Sequence, residues 1–283
     1  MGRAIQARLA ECGVETIGWD RDAVAMKTAA GNGMTIAAHP RAVADGAETI
    51  ISIITEDSGV RNIFRGTDGF LSGDVRKQLF IEMSTLQPMT GRELAPLAEA
   101  AGAALIDAPV LGSIPTARDG KLFAMVGGKA EDLERARPVL EKLTRKITHM
   151  GPNGAGYAMK LAVNLGLAAY IQAMAESLAL GTREGLSMQQ MIDVLGEAPT
   201  ANSWFAAKKG LLMGEDAGIT LDLKTLRKDL MSAVATGALD GTAMPLSTAV
   251  LTALSAAVAQ GWGDKDIGEL ARFFREHMGQ KFG

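Results

Sequence analysis

The sequence predicts an α/β fold: a doubly wound, mostly parallel sheet followed by an all-α region. Three observations carry this. Residues 2–150 alternate short apolar runs with amphipathic stretches, the pattern of parallel strands buried on both faces by crossover helices. From Gly154 onward the strand pattern stops and only helical periodicity remains. Aromatic residues make up only 5% while glycines number 33, which favours close-packed helices and tight strand-to-helix turns over a β-sandwich.

The elements follow in order. Apolar runs predict strands at 14–19, 34–38, 49–54, 78–82, 103–107, 122–126 and 146–149, with helices at 2–11, 21–30, 59–64, 88–101 and 130–143. A helix without internal proline is expected over 154–183, then shorter helices near 187–195, 202–212, 222–238, 245–260 and 264–278, with Ser187 and Asp264 as N-caps. The boundary implied is a dinucleotide-type domain at 1–152 and a helical substrate and dimerisation domain at 153–283. A thirty-residue helix spans roughly 45 Å. That exceeds what its own domain needs, so it is expected to pack against a partner subunit in a homodimer or homotetramer.

Composition narrows the function classes. The 283 residues suffice for one large domain or two ordinary ones, and 47% hydrophobic residues supply a sizeable core. Basic and acidic residues nearly balance, 29 against 32, so no basic field is present to attract nucleic acid or a membrane surface. No run approaches a membrane span of about 18 uncharged apolar residues. Cys12 is the only cysteine, which leaves no internal disulfide and no zinc cluster. No secretory h-region is seen, and the expected compartment is the cytoplasm. His39, His149 and His277 lack acid/base partners in sequence and are read as structural or exposed.

Five segments carry candidate chemistry. The chain opens Met1-Gly2 directly into a helix, where a dinucleotide fold opens with a strand and G-x-G-x-x-G. Gly2 is read as the third glycine, with the first strand and two glycines, about ten residues, lacking. A start assigned too late is favoured over a crippled domain, because every later segment is intact. Asp20 ends the next apolar run 18 residues after Gly2, near the spacing of the acid that bonds the ribose 2′-hydroxyl; it also suits a helix cap. The second segment, Glu82-Met-Ser-Thr-Leu-Gln-Pro88, puts the hydroxyls of Ser84 and Thr85 at a strand's carboxyl end, facing the ligand crevice or capping the next helix. The third, 107–120, is rich in Gly, Pro and Ser, with Gly112 and Ser113 as the best N–H donors to a carboxylate. The fourth places Lys160 and Asn164 on one helix face, four residues apart. A desolvated lysine titrates below its ordinary value of about 10.4 and becomes able to exchange protons. Lys228-Asp229 could add a cation for a substrate acid, although such a pair is more often solvated surface.

In this order and at these spacings the segments resemble the β-hydroxyacid dehydrogenase family, which includes 3-hydroxyisobutyrate dehydrogenase and the glyoxylate/succinic semialdehyde reductases. The resemblance runs from Met1 to about Phe274. It rests on Met1-Gly2, on Glu82-Met-Ser-Thr-Leu-Gln-Pro88 against D-x-S-T-x-x-P, and on Asp107-Ala-Pro-Val110 against D-A-P-V. Gly154-Ala-Gly-Tyr-Ala-Met-Lys160 through Asn164 matches G-x-G-x-x-x-K-x-x-x-N, and Lys228-Asp229 matches the K-D helix. The resemblance implies a Rossmann-type sheet with a long interdomain helix, and hydride transfer between NAD or NADP and a small β- or γ-hydroxy acid or semialdehyde. It implies Lys160 as the proton donor and acceptor, with Asn164 orienting the substrate. Ser84 and Thr85 would line the nicotinamide and substrate site, and Ile54 and Thr55 would pass beside the cofactor. Gly112 and Ser113 would hold the substrate carboxylate, with Lys228 closing from the helical domain.

Two departures bear on specificity. D-A-P-V-S-G-G is here D-A-P-V-L-G-S, with Leu111 in place of a substrate-facing serine and Ser113 returning the hydroxyl. Asp20 favours NAD while Arg21 could pair with the NADP phosphate; the lean is slightly to NAD, because a carboxylate repels a 2′-phosphate. The competing readings are an imine reductase-like enzyme of the same fold, against which Lys160 argues, and a non-catalytic dinucleotide-binding dimerisation module.

Overall fold

The computed structural model describes residues 1–216 and 218–277; the final residue of the helix expected at 264–278 lies outside them. The chain divides into two compact units, 1–162 and 163–283. The division falls inside the long helix, ten residues beyond the expected boundary at 152.

The first unit opens with α1 (Gly2–Glu11), β1 (Ile17–Gly18), α2 (Ala23–Gly31), β2 (Thr35–Ile36), α3 (Pro40–Asp45), β3 (Thr49–Ser52) and α4 (Asp57–Arg65). It continues through β4 (Leu79–Glu82), α5 (Pro88–Ala100), β5 (Ala104–Asp107), β6 (Val110–Leu111), α6 (Ile114–Arg118), β7 (Leu122–Gly127), α7 (Ala130–Leu143) and β8 (Thr144–Gly151). Strands β3, β4 and β5 pair in parallel, β7 joins β5 and β6 antiparallel, and β8 runs parallel to β7. Among the described strands β1 and β2 pair only with each other. That one-sided pairing shortens the strands expected at 14–19 and 34–38 to two residues each. The segment read as a loop at 107–120 contains β6 and α6.

Alternation along β4 gives the sheet its two cores. Leu79 and Ile81 face the cluster built with α1, α6 and α7, and Phe80 faces the cluster built with α3, α4 and α5. On that second face Phe64, Phe70 and Phe80 meet at centroid distances of 5.1 to 5.3 Å, in edge-to-face and tilted pairs.

The second unit is helical. The long helix α8 (Ala155–Arg183) continues into it and is followed by α9 (Met188–Glu197), α10 (Ser203–Met213), α11 (Leu223–Leu239), α12 (Pro245–Ala257) and α13 (Leu270–His277). Ser187 caps α9 with a capping box closed by Gln190, as its sequence position suggests. The cap expected at Asp264 belongs instead to Asp266, whose carboxylate accepts from Gly268 N–H at 3.0 Å, while Asp264 pairs with Lys224. Asp266 also holds the buried ammonium of Lys208 at 2.7 Å and the N–H and hydroxyl of Thr220.

By length and mean hydropathy (1.2) α8 is the one described helix capable of crossing a membrane, although no such run was expected. Part of its apolar surface is built into protein cores, Tyr157 in the first unit and Ala168, Ile171, Ala175 and Leu178 in the second, while Met159 and Leu180 are exposed.

Candidate active site

Parallel register sets out the site in the first unit. Ser52, Glu82 and Asp107 are paired neighbours across β3, β4 and β5, so three polar side chains form one row at the carboxyl ends of the strands, where open α/β sheets bind ligands. Glu82 and Asp107 are both fully buried, and buried acids persist only with partners. Glu82 accepts from the hydroxyls of Ser84 and Tyr157, from Ser52 Oγ at 3.3 Å, and from Ser84 N–H at 3.2 Å. Burial pushes the Glu82 carboxyl up to about 7, against the downward pull of those hydrogen bonds. Ser84 Oγ in turn accepts from Ile54 N–H at 2.6 Å. The Ser84 side chain is therefore turned inward to fasten the end of β3, and the half-buried Thr85 is the more accessible hydroxyl of the pair.

Asp107 anchors the start of α8. Its carboxylate accepts Gly154 N–H at 2.7 Å and Tyr157 N–H at 3.1 Å, satisfying N–H groups that the first turn of a helix leaves without partners. Burial nevertheless raises the Asp107 carboxyl, with these backbone groups pulling the other way. The two glycines of Gly154-Ala-Gly156 have a steric reason. Gly154 sits at φ +90, and a Cβ on Gly156 would lie 2.8 Å from Asp107 Oδ2. Lys160, half-buried, follows Tyr157 by three residues on the same helix.

In the second unit, Asn164 is buried and donates through Nδ2 to Asp229 Oδ2 at 2.6 Å. A carboxylate only accepts, so this bond fixes the amide orientation and leaves the Asn164 carbonyl oxygen as the acceptor end. Lys228 Nζ lies 2.7 Å from Asp229 Oδ1. The contact is an ion pair.

The segment proposed to hold a carboxylate is internally stapled. Ser113 N–H donates to Thr116 Oγ1 at 2.6 Å, and the two hydroxyls are 2.9 Å apart. The Ser113 N–H is thus committed, while its hydroxyl stays half-buried at the start of α6. Gly112 is exposed.

The cofactor side fits a dinucleotide. Gly2 begins α1, and a Cβ there would lie 3.0 Å from Ile53 Cγ2. This close approach of helix to strand is the one a third glycine permits. The N–H groups of the first turn, beside Met1 and Gly2, suit a pyrophosphate. Asp20 and Arg21 are exposed just past β1, with Asp20 Oδ1 accepting Asp22 N–H at 2.9 Å. Asp22, not Asp20, caps α2. Ile54 and the exposed Thr55 follow β3.

Three residues enter the site that sequence reasoning passed over: Glu82 and Asp107, quoted only as motif letters, and Tyr157. The available signal is an acid closing an otherwise apolar strand, twice, at 78–82 and 103–107.

Comparison with known proteins agrees with this architecture. Residues 1–151 match the NAD-binding domain of 6-phosphogluconate dehydrogenase, and residues 154–274 match the NAD-binding domain of NADP-dependent 3-hydroxyisobutyrate dehydrogenase. A 3-hydroxyisobutyrate dehydrogenase of Pseudomonas aeruginosa is 36% identical over 62% of this chain and 66% of its own length. An NAD-dependent L-serine dehydrogenase of the same organism is 29% identical over 88% of this chain and 86% of its own. The solved structure of Mycobacterium tuberculosis 3-hydroxyisobutyrate dehydrogenase with L-serine superposes with a TM-score of 0.85 at 32% identity, covering 97% of this chain and 96% of that one. Matched in both halves and carrying the motif residues in the positions just described, the chain belongs to the β-hydroxyacid dehydrogenase family of NAD(P)-dependent oxidoreductases.

Proposed function

We propose that the chain interconverts a small β- or γ-hydroxy acid and its semialdehyde, with Lys160 giving a proton to the carbonyl oxygen in reduction and removing it in oxidation. The observation carrying this is the mounting of Lys160: one turn beyond a helix start held by the buried Asp107 and by Tyr157 on Glu82. The first turn of α1, Asp20 and the segment Ile54-Thr55 would hold NAD(P), which when bound would supply or take up the hydride. Asn164, its amide orientation fixed by Asp229, is assigned to orienting the substrate by hydrogen bonding. Gly112, the Ser113 hydroxyl and Lys228 are assigned to the substrate carboxylate, Thr85 to the substrate and nicotinamide edge, and Ser84 to holding Ile54. L-Serine, named with two of the relatives, is itself a β-hydroxy acid and belongs among the first substrates tried. The lean is to NAD, since the exposed Asp20 carboxylate would repel a 2′-phosphate.

The test is oxidation of NADH and NADPH with glyoxylate and with succinic, methylmalonic and tartronic semialdehydes, and the reverse reaction with 3-hydroxyisobutyrate and L-serine. Lys160→Ala should lower kcat by about 100-fold or more with cofactor affinity retained. Full turnover in that variant would remove Lys160 as the proton donor.

A further inference from the structure

Glu82 has no assigned part in the reaction, yet it touches both sides of the site. Through Ser84 it reaches Ile54, at the end of β3 where the cofactor segment begins. Through Tyr157 it reaches the first turn of the helix that carries Lys160. Each link joins residues far apart in sequence: Ile54 to Ser84 across 30 positions, and Glu82 to Tyr157 across 75.

We propose that Glu82 is a positioning residue for hydride transfer, its carboxylate fixing the cofactor segment at Ile54 and the Lys160 helix at Tyr157 relative to one another. This rests on the reading of Lys160 given above.

The chemistry of the carboxyl makes the role dependent on charge. An ionised Glu82 only accepts, so it receives the Ser84 and Tyr157 hydroxyls at once, with Ser52 and the Ser84 N–H as further donors. A protonated Glu82 must donate from one oxygen. One hydroxyl then reverses, and one of the two links is rebuilt in another geometry. The groups facing this carboxyl are Tyr157 from α8, Asp107 from β5 and, beyond Tyr157, Asp57 from α4; burial raises Asp107, and burial with the neighbouring acids holds the Tyr157 hydroxyl well above its ordinary value. Tyr157 thus keeps its proton throughout the range in which Glu82 changes charge. A misplacement near 1 Å at a reacting centre costs about 100-fold in rate, so a small rearrangement of either link is visible in turnover.

The experiment is the pH profile of kcat and KM for the wild type, Glu82→Gln, Tyr157→Phe and Lys160→Ala, with cofactor dissociation constants and melting temperatures. The wild type should show an acid limb near pH 7 in kcat. Glu82→Gln, which mimics the protonated form, should sit about tenfold lower at pH 8 with the limb gone, KM and cofactor affinity changing far less. Tyr157→Phe keeps the ring and loses one link; it should lower kcat in the same sense, and it decides the matter should the Gln variant not fold. Wild-type kcat and an unchanged acid limb in Glu82→Gln, or in Tyr157→Phe when it stands in, with Lys160→Ala dead, would overturn the positioning role alone. Absence of turnover in the wild type with every substrate would overturn the assigned reaction, and this role with it.

Discussion

Glu82 costs the fold stability at the pH where it serves the site. Its carboxyl stands at about 7 in the folded chain against an ordinary 4.5, a difference worth about 3 kcal/mol. The sign follows from which state holds the proton longer. Below pH 4.5 both states are protonated and the full stability is present; as pH rises, the unfolded chain releases its proton first, and stability falls until pH passes 7. Wild-type melting temperature should therefore fall relative to Glu82→Gln by roughly 5–10 °C between pH 4.5 and 8. Parallel melting curves for the two proteins across that range would refute the assignment. At this scale the sequence exposed Lys160, Asn164 and the glycines of Gly154-Ala-Gly156, because spacing on one helix is local information. It concealed Tyr157, since no local rule says which hydroxyl meets an acid 75 positions away.

Elements were legible where their patterns are long. Helices α1 and α7 have the bounds that periodicity gives, whereas the strands at 14–19 and 34–38 shrink because pairing, not propensity, sets strand length. The short α3, β6 and α6 were missed; five- and six-residue helices and a two-residue strand leave too few positions for a period to register. The N-cap error at Asp264 has a tertiary cause: Asp266 is drawn inward by Lys208 and Thr220. That pairing supplies a test in the helical unit. Burial alone would raise Asp266, but the Lys208 ammonium and the N–H groups of Gly268 and Thr220 bring it below its ordinary value. Lys208→Ala leaves a buried carboxylate without its cation and should lower unfolding free energy by about 3 kcal/mol in urea titrations. A loss under about 1 kcal/mol would mean that the pair behaves as a surface contact.

For the whole molecule, the switch from alternating strands to unbroken helical periodicity announced two units. What the sequence could not place was the division of the chain within α8, because that helix keeps one apolar character from end to end. Leu180 on α8, with Val194 and Leu239, exposes large apolar side chains at 66%, 71% and 71%. We propose that such surface is covered by a second copy of the chain, giving a homodimer or homotetramer. Sedimentation equilibrium should then return two or four times 29.6 kDa; a monomer at micromolar concentration would reject it.

The bond from Ser113 N–H to Thr116 Oγ1 has an evolutionary consequence. Because that bond is local to the start of α6 and reaches none of Ser52, Glu82 and Asp107, the segment can be rewritten without loosening their row. Leu111→Ser should accordingly redistribute KM among acids of different length while kcat moves little, and a collapse of kcat for every acid would show the two regions to be coupled. Taste for a particular acid is then a replaceable cartridge, and descendants of one ancestor can diverge in diet while inheriting the same hydride chemistry unaltered.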